Sequence, residues 1–217
     1  MNAKLFSWNL FNKVPIVGIV RNLTLEEVKQ ILPLYQEAGL TTIEITMNTA
    51  QAKEIIRYAY ENYHNYLNIG AGTVCNKEDL ELALSAGAQF IITPIIDKKV
   101  IKSCVKREIP IFPGAYTPSE IYRAWQLGAA MVKIYPATSL GPDYIKDLKA
   151  PLNKIKVMPT GGVSLDNLQH FLQAGASGFG IGGQLFDKQL IKEKNWIALS
   201  SHFKAFVSKL NPKATSG

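Results

Sequence analysis

The chain has 217 residues, 47% of them hydrophobic, and no stretch is apolar over the roughly 18 residues that a membrane-spanning helix needs, so we expect one globular domain and no membrane segment. Its 24 basic and 17 acidic residues give a net charge of +7, which fits a well-solvated surface or an anionic small substrate. The basic residues are scattered, and no basic run carries interleaved aromatic residues, so we expect no nucleic-acid partner.

The chain begins with a short amphipathic segment, residues 1–13, for which we predict a short N-terminal helix. This segment lacks the continuous apolar run and the small-residue cleavage site of a signal peptide, so we expect a cytoplasmic protein. The other end, residues 208–217, is polar, and we expect a frayed tail there.

Eight apolar runs recur at regular intervals and are candidate β-strands. They span residues 15–21, 42–46, 67–73, 90–94, 109–114, 131–135, 156–160 and 178–182. Their β-branched and aliphatic residues are typical of parallel strands that are buried on both faces.

The segments between these runs have the pattern of helices. Good capping residues stand at Thr24, Asn76, Thr117 and Ser164, and we predict that helices begin there. Four of the helical stretches end in Ala-Gly or Leu-Gly, in QEAGLTTIEI, LSAGAQFIIT, QLGAAMVKIY and LQAGASGFGIG. A glycine at this place suits the left-handed residue that ends many helices.

Eight alternations of strand and helix predict an α/β fold, a (βα)8 TIM barrel with a short N-terminal helix. No Gly-x-Gly-x-x-Gly motif follows the first strand, which disfavours an open dinucleotide-binding sheet. The active site of a TIM barrel lies at the C-terminal ends of the strands. The residues predicted to lie there are Arg21, Glu44, Thr73, Pro94, Lys133, Thr160, Gly161, Gly162, Gly182 and Gly183.

Lys133 is a single charge inside the apolar strand Met131–Tyr135. If its face is the barrel interior, burial disfavours the ammonium form and makes the amine available as a nucleophile for a Schiff base. The alternative is a structural lysine that is paired with an interior carboxylate.

Glu44 is placed in the same way, between Ile43 and Ile45 in the second strand. A carboxylate that converges on an amine in one barrel mouth is either its ion-pair partner or a group that transfers protons during catalysis. The strand pattern leaves both interpretations open.

Two glycine pairs, Gly161-Gly162 and Gly182-Gly183, follow the last two strands. Exposed backbone N–H groups at these two turns predict a phosphate site, because many TIM barrels hold phosphate there. Arg21 adds a positive charge at the same mouth. A glycine pair also serves tight turns, which is the alternative.

Nothing in the sequence indicates a metal centre. The three histidines, His64, His170 and His202, have no ligand spacing between them. Cys75 and Cys104 are far apart, and we expect both to be inert packing residues.

Taken in chain order, these motifs resemble the class I aldolases that act on 2-keto-3-deoxy-6-phosphogluconate (KDPG) and 4-hydroxy-2-oxoglutarate (KHG). The likeness spans roughly residues 13–205. The motifs that carry it are Pro15–Arg21, Glu44–Thr46, Gly70–Val74, Thr93–Pro94, Pro110–Gly114, Thr117–Glu120, Lys133–Ala137, Pro159–Gly162 and Gly182–Gly183.

The resemblance implies retro-aldol cleavage of KDPG to pyruvate and D-glyceraldehyde 3-phosphate, and cleavage of KHG to pyruvate and glyoxylate. It implies that Lys133 forms the Schiff base and that Glu44 is the general acid/base. The implied substrate-binding residues are Thr73, Asn48, Pro94, Tyr135 and Thr160. The implied phosphate-binding residues are Arg21, Gly161, Gly162, Gly182, Gly183 and Gln184. The resemblance also implies a homotrimer that needs no metal or other cofactor.

Two residues depart from the phosphogluconate pattern. Asn48 stands where these enzymes usually have an arginine, and Gln184 stands where a serine often binds phosphate. Asn48 and the segment Gly141–Lys146 look more like the 2-keto-3-deoxy-6-phosphogalactonate aldolases, whereas Thr160 before Gly-Gly looks like the phosphogluconate enzymes. The galactonate epimer is therefore the alternative substrate.

Two further interpretations compete with an aldolase. A phosphate-binding isomerase or synthase barrel shares the glycine turns but has no need of an amine at Lys133. A non-catalytic sugar-phosphate-binding barrel would explain the change at Asn48, but the intact Lys133, Glu44 and Thr73 argue against it.

Overall fold

A computed structural model describes residues 5–210 of the chain and has eight parallel strands. The strands are β1 (Ile16–Val20), β2 (Thr42–Thr46), β3 (Asn68–Gly72), β4 (Phe90–Thr93), β5 (Ile111–Ala115), β6 (Val132–Ile134), β7 (Val157–Pro159) and β8 (Phe179–Ile181). Neighbours along the sheet follow the order β7-β6-β5-β4-β3-β2-β1-β8. All eight predicted strands are present, and most are one or two residues shorter than predicted.

The sheet curves into a nearly closed barrel, which confirms the predicted (βα)8 fold. Its two outer strands, β7 and β8, meet through a parallel bridge between Thr160 and Gly180. The backbone N–H of Ser177 also donates to the carbonyl oxygen of Val157 at 2.8 Å. Strand β8 therefore lies between β1, with which it pairs, and β7.

Helices alternate with the strands around the barrel. They are α1 (Trp8–Lys13), α2 (Leu25–Glu37), α3 (Ala52–Tyr63), α4 (Lys77–Ser85), α5 (Lys98–Lys106), α6 (Pro118–Gln126), α7 (Gly141–Lys149), α8 (Leu168–Gln173), α9 (Lys188–Lys192) and α10 (Trp196–Leu210). The predicted N-terminal helix is α1, which begins seven residues into the predicted segment, and residues 1–4 of that segment lie outside the described residues. Ser208–Leu210, from the predicted tail, lie in α10, and residues 211–217 lie outside the described residues.

Three of the four predicted helix starts are confirmed. The side chains of Thr24, Asn76 and Thr117 each accept a hydrogen bond from a backbone N–H in the first helical turn. The start at Ser164 is wrong, because α8 begins at Leu168 after a turn. The side chain of Asn167 holds this turn, since it accepts from the N–H of Ser164 at 2.9 Å and donates to the carbonyl of Gly162 at 2.7 Å.

The four glycines that were predicted to end helices all adopt the left-handed conformation. They are Gly39, Gly87, Gly128 and Gly175, with φ between 90° and 105°. A residue with a Cβ is disfavoured in this conformation, so glycine lets the chain leave the helix and enter the next strand within a few residues.

The N-terminal end of the barrel is filled by apolar side chains. One cluster there includes Phe11 from α1 and Phe6, which precedes that helix. Both pack with strand residues Val17, Phe90, Phe112, Met131 and Met158. Asn68 at the start of β3 ties this segment to the barrel, because its side chain bonds the backbone N–H and carbonyl of Ser7 at 2.7 and 2.9 Å. The bottom of the barrel is therefore closed by α1.

The opposite end of the barrel interior is polar. Alternation along the strands turns Glu44, Thr46, Lys133 and Thr160 inward, and all four are buried. The branched residues between them, such as Ile43 and Ile45 in β2, pack outward against the helices.

Candidate active site

Lys133 lies in the middle of β6 with only 5% of its surface exposed. Its Nζ is 4.8 Å from the centre of the Tyr135 ring. Among residues 5–210, no carboxylate oxygen lies within 4.0 Å of this nitrogen. Burial holds the pKa of Lys133 below its usual range, the charge of Glu44 opposes this, and the charge of Arg21 lowers the pKa further.

Glu44 lies in β2, across the barrel from β6, and is 1% exposed. Its Oε2 has no hydrogen-bond partner among the described residues. Burial raises the pKa of Glu44, and the positive charges of Lys133 and Arg21 partly oppose that rise. Gly72 makes room for the carboxylate, because a Cβ at that position would lie 2.7 Å from the Glu44 Cδ.

Arg21 and Thr73 meet at the mouth above Glu44. They follow β1 and β3, the two strands that flank β2. Arg21 Nη2 donates to Thr73 Oγ1 at 3.3 Å. Thr73 has a φ of 57°, which is a left-handed conformation that is uncommon for a β-branched residue and directs the side chain toward the mouth.

The two predicted glycine turns lie beside each other at the mouth. Gly161 and Gly162 have φ of 92° and 74°, so their turn requires glycine. At the other turn, a Cβ on Gly183 would meet no atom of the described residues within 4 Å, and the nearest of these atoms to a Cβ on Gly182 belong to Ile19, at 3.7 Å or more. The backbone of this second turn therefore faces open space that a ligand can fill.

One cavity of about 1070 Å³ joins most of these groups. The predicted site residues on its wall are Arg21, Lys133, Tyr135, Thr160, Gly161, Gly162, Gly182, Gly183 and Gln184. A second cavity of about 400 Å³ is lined by Pro94 and shares Tyr135 with the first. Asn48 is exposed in the turn after β2 and lines neither cavity.

Sequence reasoning did not identify several residues that shape this site. Lys188, Lys192, Lys194 and Trp196 line the outer part of the large cavity. The four-residue spacing of the first two lysines was the available signal, because it places them on one helical face.

Another residue that was missed is Tyr35, which is fully buried in α2. Its hydroxyl accepts from the N–H of Gly18 at 3.1 Å and donates to the carbonyl of Thr42 at 2.6 Å. This bond pair braces β1 against β2, the strands that carry Arg21 and Glu44 toward the mouth.

Within residues 5–210 no three His, Cys, Asp or Glu side chains are grouped closely enough to hold a metal ion. Over the same residues, no helix is both long and apolar enough to cross a membrane.

Sequence comparison relates this site to known enzymes. Residues 8–201 match the family described as KDPG and KHG aldolase. The chain is 35% identical over 175 residues to the 2-dehydro-3-deoxy-6-phosphogalactonate aldolase of Escherichia coli K12, covering 80% of this chain and 85% of that protein. It is 36% identical over 192 residues to the 2-dehydro-3-deoxy-phosphogluconate aldolase of Haemophilus influenzae, covering 86% and 90%.

Solved structures agree with the sequence matches. A structure described as native KDPGal superposes with a TM-score of 0.85 and 33% identity, covering 92% of this chain and 96% of that one. The KDPG aldolase of Legionella pneumophila, with pyruvate captured as a covalent carbinolamine, gives a TM-score of 0.84 and 25% identity, covering 91% and 96%. The chain therefore belongs to the KDPG and KHG aldolase family and is an aldolase, a lyase.

Proposed function

We propose that the chain is a class I aldolase that cleaves KDPG to pyruvate and D-glyceraldehyde 3-phosphate through a Schiff base on Lys133. The observation that carries the proposal is the state of this lysine. It is buried at the polar end of the barrel, has no carboxylate within 4.0 Å among residues 5–210, and has a lowered pKa. A lysine of this kind supplies the neutral amine that Schiff-base chemistry needs.

The reaction follows from that amine. Lys133 adds to the C2 carbonyl of the keto acid, and loss of water from the carbinolamine gives an iminium ion. The C3–C4 bond breaks, its electron pair moves toward the iminium to give an enamine, and the C4 hydroxyl loses its proton as the aldehyde forms. Protonation of the enamine at C3 and hydrolysis of the iminium release pyruvate and the free lysine.

We assign the proton transfers to Glu44. Its pKa is raised by burial, so the carboxyl group can exchange a proton nearer to neutral pH than an exposed glutamate can. Its Oε2 is buried and has no partner among the described residues, and in this proposal the bound substrate or a water molecule supplies that partner. We prefer this assignment to a purely structural ion pair, because the Nζ of Lys133 is more than 4.0 Å from the carboxylate oxygens of Glu44.

The remaining residues hold the substrate in this proposal. Thr73 and Asn48 bind the carboxylate end, and Tyr135, Pro94 and Thr160 enclose the reacting carbons. Arg21 and Gln184 bind the phosphate together with the backbone of Gly161, Gly162, Gly182 and Gly183. Support comes from the cavity, which all of these except Thr73, Asn48 and Pro94 line. We also propose a cytoplasmic homotrimer with a small-molecule substrate, which rests on the family resemblance.

The galactonate epimer is the second candidate substrate. The Escherichia coli relative is named for it and the Haemophilus influenzae relative for the gluconate, at 35% and 36% identity. Asn48 is the specific residue that favours the galactonate. At this position the phosphogluconate enzymes usually have an arginine, and Asn48 looks more like the phosphogalactonate enzymes.

The experiment is a measurement of pyruvate release from the purified protein with KDPG, the galactonate epimer and KHG in parallel. We expect a higher kcat/KM for KDPG than for the other two, and no release above about 1% of wild type from Lys133→Met. A higher kcat/KM for the galactonate would replace the substrate but keep the mechanism. Equal rates in Lys133→Met and wild type would contradict the Schiff base.

A further inference from the structure

The cavity at the mouth of the barrel is larger than the proposed substrate requires. Its volume of about 1070 Å³ lies at the upper end of the roughly 300 to 1,000 Å³ of most small-molecule sites. The proposed substrate has only six carbons and one phosphate. The inner wall carries Lys133 and the glycine turns, whereas the outer wall belongs to α9 and the turn after it, which the proposed mechanism does not use.

Three lysines, Lys188, Lys192 and Lys194, line this outer wall. Lys188 and Lys192 are four residues apart in α9 and so share a face of the helix. Lys194 follows in the turn that ends the helix. Within residues 5–210, none of the three has a carboxylate oxygen within 4.0 Å.

The acidic residues of α2 that line the same cavity are bound to groups of their own helix. The carboxylate of Glu27 accepts from the backbone N–H and the hydroxyl of Thr24, at 2.7 and 2.8 Å. Glu26 pairs with Lys29 at 2.7 Å. Neither carboxylate is committed to the lysines of α9.

The acidic residues at the two ends of α9 also accept hydrogen bonds from groups of that helix. Asp187 caps the helix and accepts from the N–H groups of Gln189 and Leu190 at 2.8 and 2.9 Å. Glu193 accepts from the side chain of Gln189. Among residues 5–210, the three ammonium groups of the outer wall therefore have no acid paired to them.

The backbone at Lys194 is unusual for a lysine. Its φ is 54°, at the left-handed position where helices most often have glycine. The N–H of Lys194 bonds the carbonyl of Ile191 at 3.0 Å, and the N–H of Asn195 bonds that of Leu190 at 2.8 Å. This conformation is disfavoured for a residue with a side chain. Lys194 adopts it nonetheless and adds a third lysine to the cavity wall.

We propose that Lys188, Lys192 and Lys194 form a second anion subsite, outside the glycine turns, that binds the phosphate of an incoming phosphorylated aldehyde or keto acid before it reaches those turns. The inference rests on the proposed function and adds a capture step to it. Five basic residues and two acidic residues line the cavity, and a cleft with such an excess of one charge raises the association of oppositely charged ligands, by up to about 10- to 1,000-fold at low ionic strength.

The test compares two triple variants that lose the same charge. The first is Lys188→Gln, Lys192→Gln and Lys194→Gln. The control is Lys99→Gln, Lys102→Gln and Lys106→Gln, on exposed positions of α5 that line neither cavity. Both are assayed in the direction of aldol addition, with pyruvate and either glyceraldehyde 3-phosphate or unphosphorylated glyceraldehyde.

In the α9 variant we expect kcat/KM for glyceraldehyde 3-phosphate to fall roughly 10-fold or more at low salt, through KM, with kcat unchanged. The loss should shrink in 1 M salt, where the Debye length is about 3 Å. Activity on unphosphorylated glyceraldehyde should stay within about 2-fold, as should both activities of the α5 variant. Equal kinetics in the two variants would overturn the subsite.

A wild-type protein that forms no imine with pyruvate would contradict the proposed function, and the subsite would then be tested by binding alone. Calorimetric titration with inorganic phosphate compares the wild type with both variants. Weaker phosphate binding in the α9 variant than in the α5 variant supports the subsite. Equal binding in both variants overturns it.

Discussion

Lys133 and Glu44 face each other across the barrel interior, and burial acts on them in opposite directions. It disfavours the ammonium of Lys133 and the carboxylate of Glu44, so the pKa of the first is lowered and that of the second is raised. The charge of Glu44 partly offsets the fall in the pKa of Lys133, and the charge of Lys133 partly offsets the rise in the pKa of Glu44. Arg21 is the third charge, and it favours a neutral Lys133 and an ionised Glu44.

This arrangement predicts opposite shifts in the pH dependence of imine formation. In Glu44→Gln the carboxylate that favours the ammonium is gone, so the pKa of Lys133 falls and the midpoint of the pH profile moves down. In Arg21→Gln a repelling cation is gone, so the midpoint moves up. Pyruvate imine formation, trapped with cyanoborohydride between pH 5 and 10, measures both.

The same Glu44→Gln protein should cleave KDPG about 10²- to 10⁴-fold more slowly, because the proton transfers lose their acid/base. Shifts of the same sign in both variants would contradict the electrostatic account. A near-normal cleavage rate in Glu44→Gln would remove Glu44 from the mechanism while leaving Lys133 in place.

Sequence reasoning found Lys133 and Glu44 because each is a lone charge in an apolar strand, and alternation fixes which way it points. The sequence could not predict that Pro94 lines a separate cavity or that Asn48 lies outside both cavities. Those positions depend on how loops from different strands meet. Tyr35 gave no signal either, since a tyrosine in an amphipathic helix is an ordinary core residue.

In the proposed mechanism the two glycine turns bind phosphate, and the glycines in and beside them have two different roles. Gly183 has open space where a Cβ would stand. At Gly180 in β8, a Cβ would lie 2.3 Å from the Thr160 Oγ1, so this glycine is required for the closure between β7 and β8.

Gly183→Ala should therefore fold normally but bind phosphate poorly. The added methyl group would occupy ligand space, and we expect KM for KDPG to rise about 10- to 100-fold, the equivalent of one lost charge-assisted hydrogen bond. Steady-state kinetics and a thermal midpoint measure the two effects. An unchanged KM would place the phosphate elsewhere, and Gly180→Ala serves as the matched change that should lower the thermal midpoint instead.

Helix α1 closes the N-terminal end of the barrel through Phe11, which is fully buried. The Phe11 ring centre lies 6.3 Å from that of Phe112 in the barrel interior. Gly178 leaves space for this ring, since a Cβ there would lie 2.6 Å from the Phe11 Cζ. The helix is thus part of the core.

Phe11→Ala should lower the free energy of unfolding by about 3 to 5 kcal/mol, because it opens a cavity in a packed aromatic cluster. Ile197→Ala is the control, since Ile197 is 85% exposed and its truncation should change stability by less than about 0.5 kcal/mol. Urea denaturation at one protein concentration measures both variants. A loss below about 1 kcal/mol in Phe11→Ala would show that α1 is not part of the core.

The strands and helices were easier to predict from the sequence than the details of the site. Apolar runs predicted all eight strands, because strands buried on both faces need apolar residues. Glycines predicted four of the helix ends, because the left-handed conformation favours glycine. The start of α8 was missed, because Ser164 has the residue type of a helix cap but lies in a turn that the side chain of Asn167 holds.

At the scale of the whole molecule, the barrel has two unlike ends. Aromatic and aliphatic side chains fill the N-terminal end, and buried polar groups with open glycine turns form the other. The eight alternations predicted this architecture and the end that carries the site. The volume of the cavity and its outer lysine wall were not predictable, because they depend on where α9 packs after the last strand.

The proposed mechanism depends on a covalent bond between Lys133 and the substrate. The direct measurement is peptide mapping by mass spectrometry after the protein is incubated with pyruvate and borohydride. We expect one reduced pyruvate adduct on the peptide that contains Lys133, and none in Lys133→Met. An adduct on another lysine, or no adduct while pyruvate is shown to bind, would contradict the account.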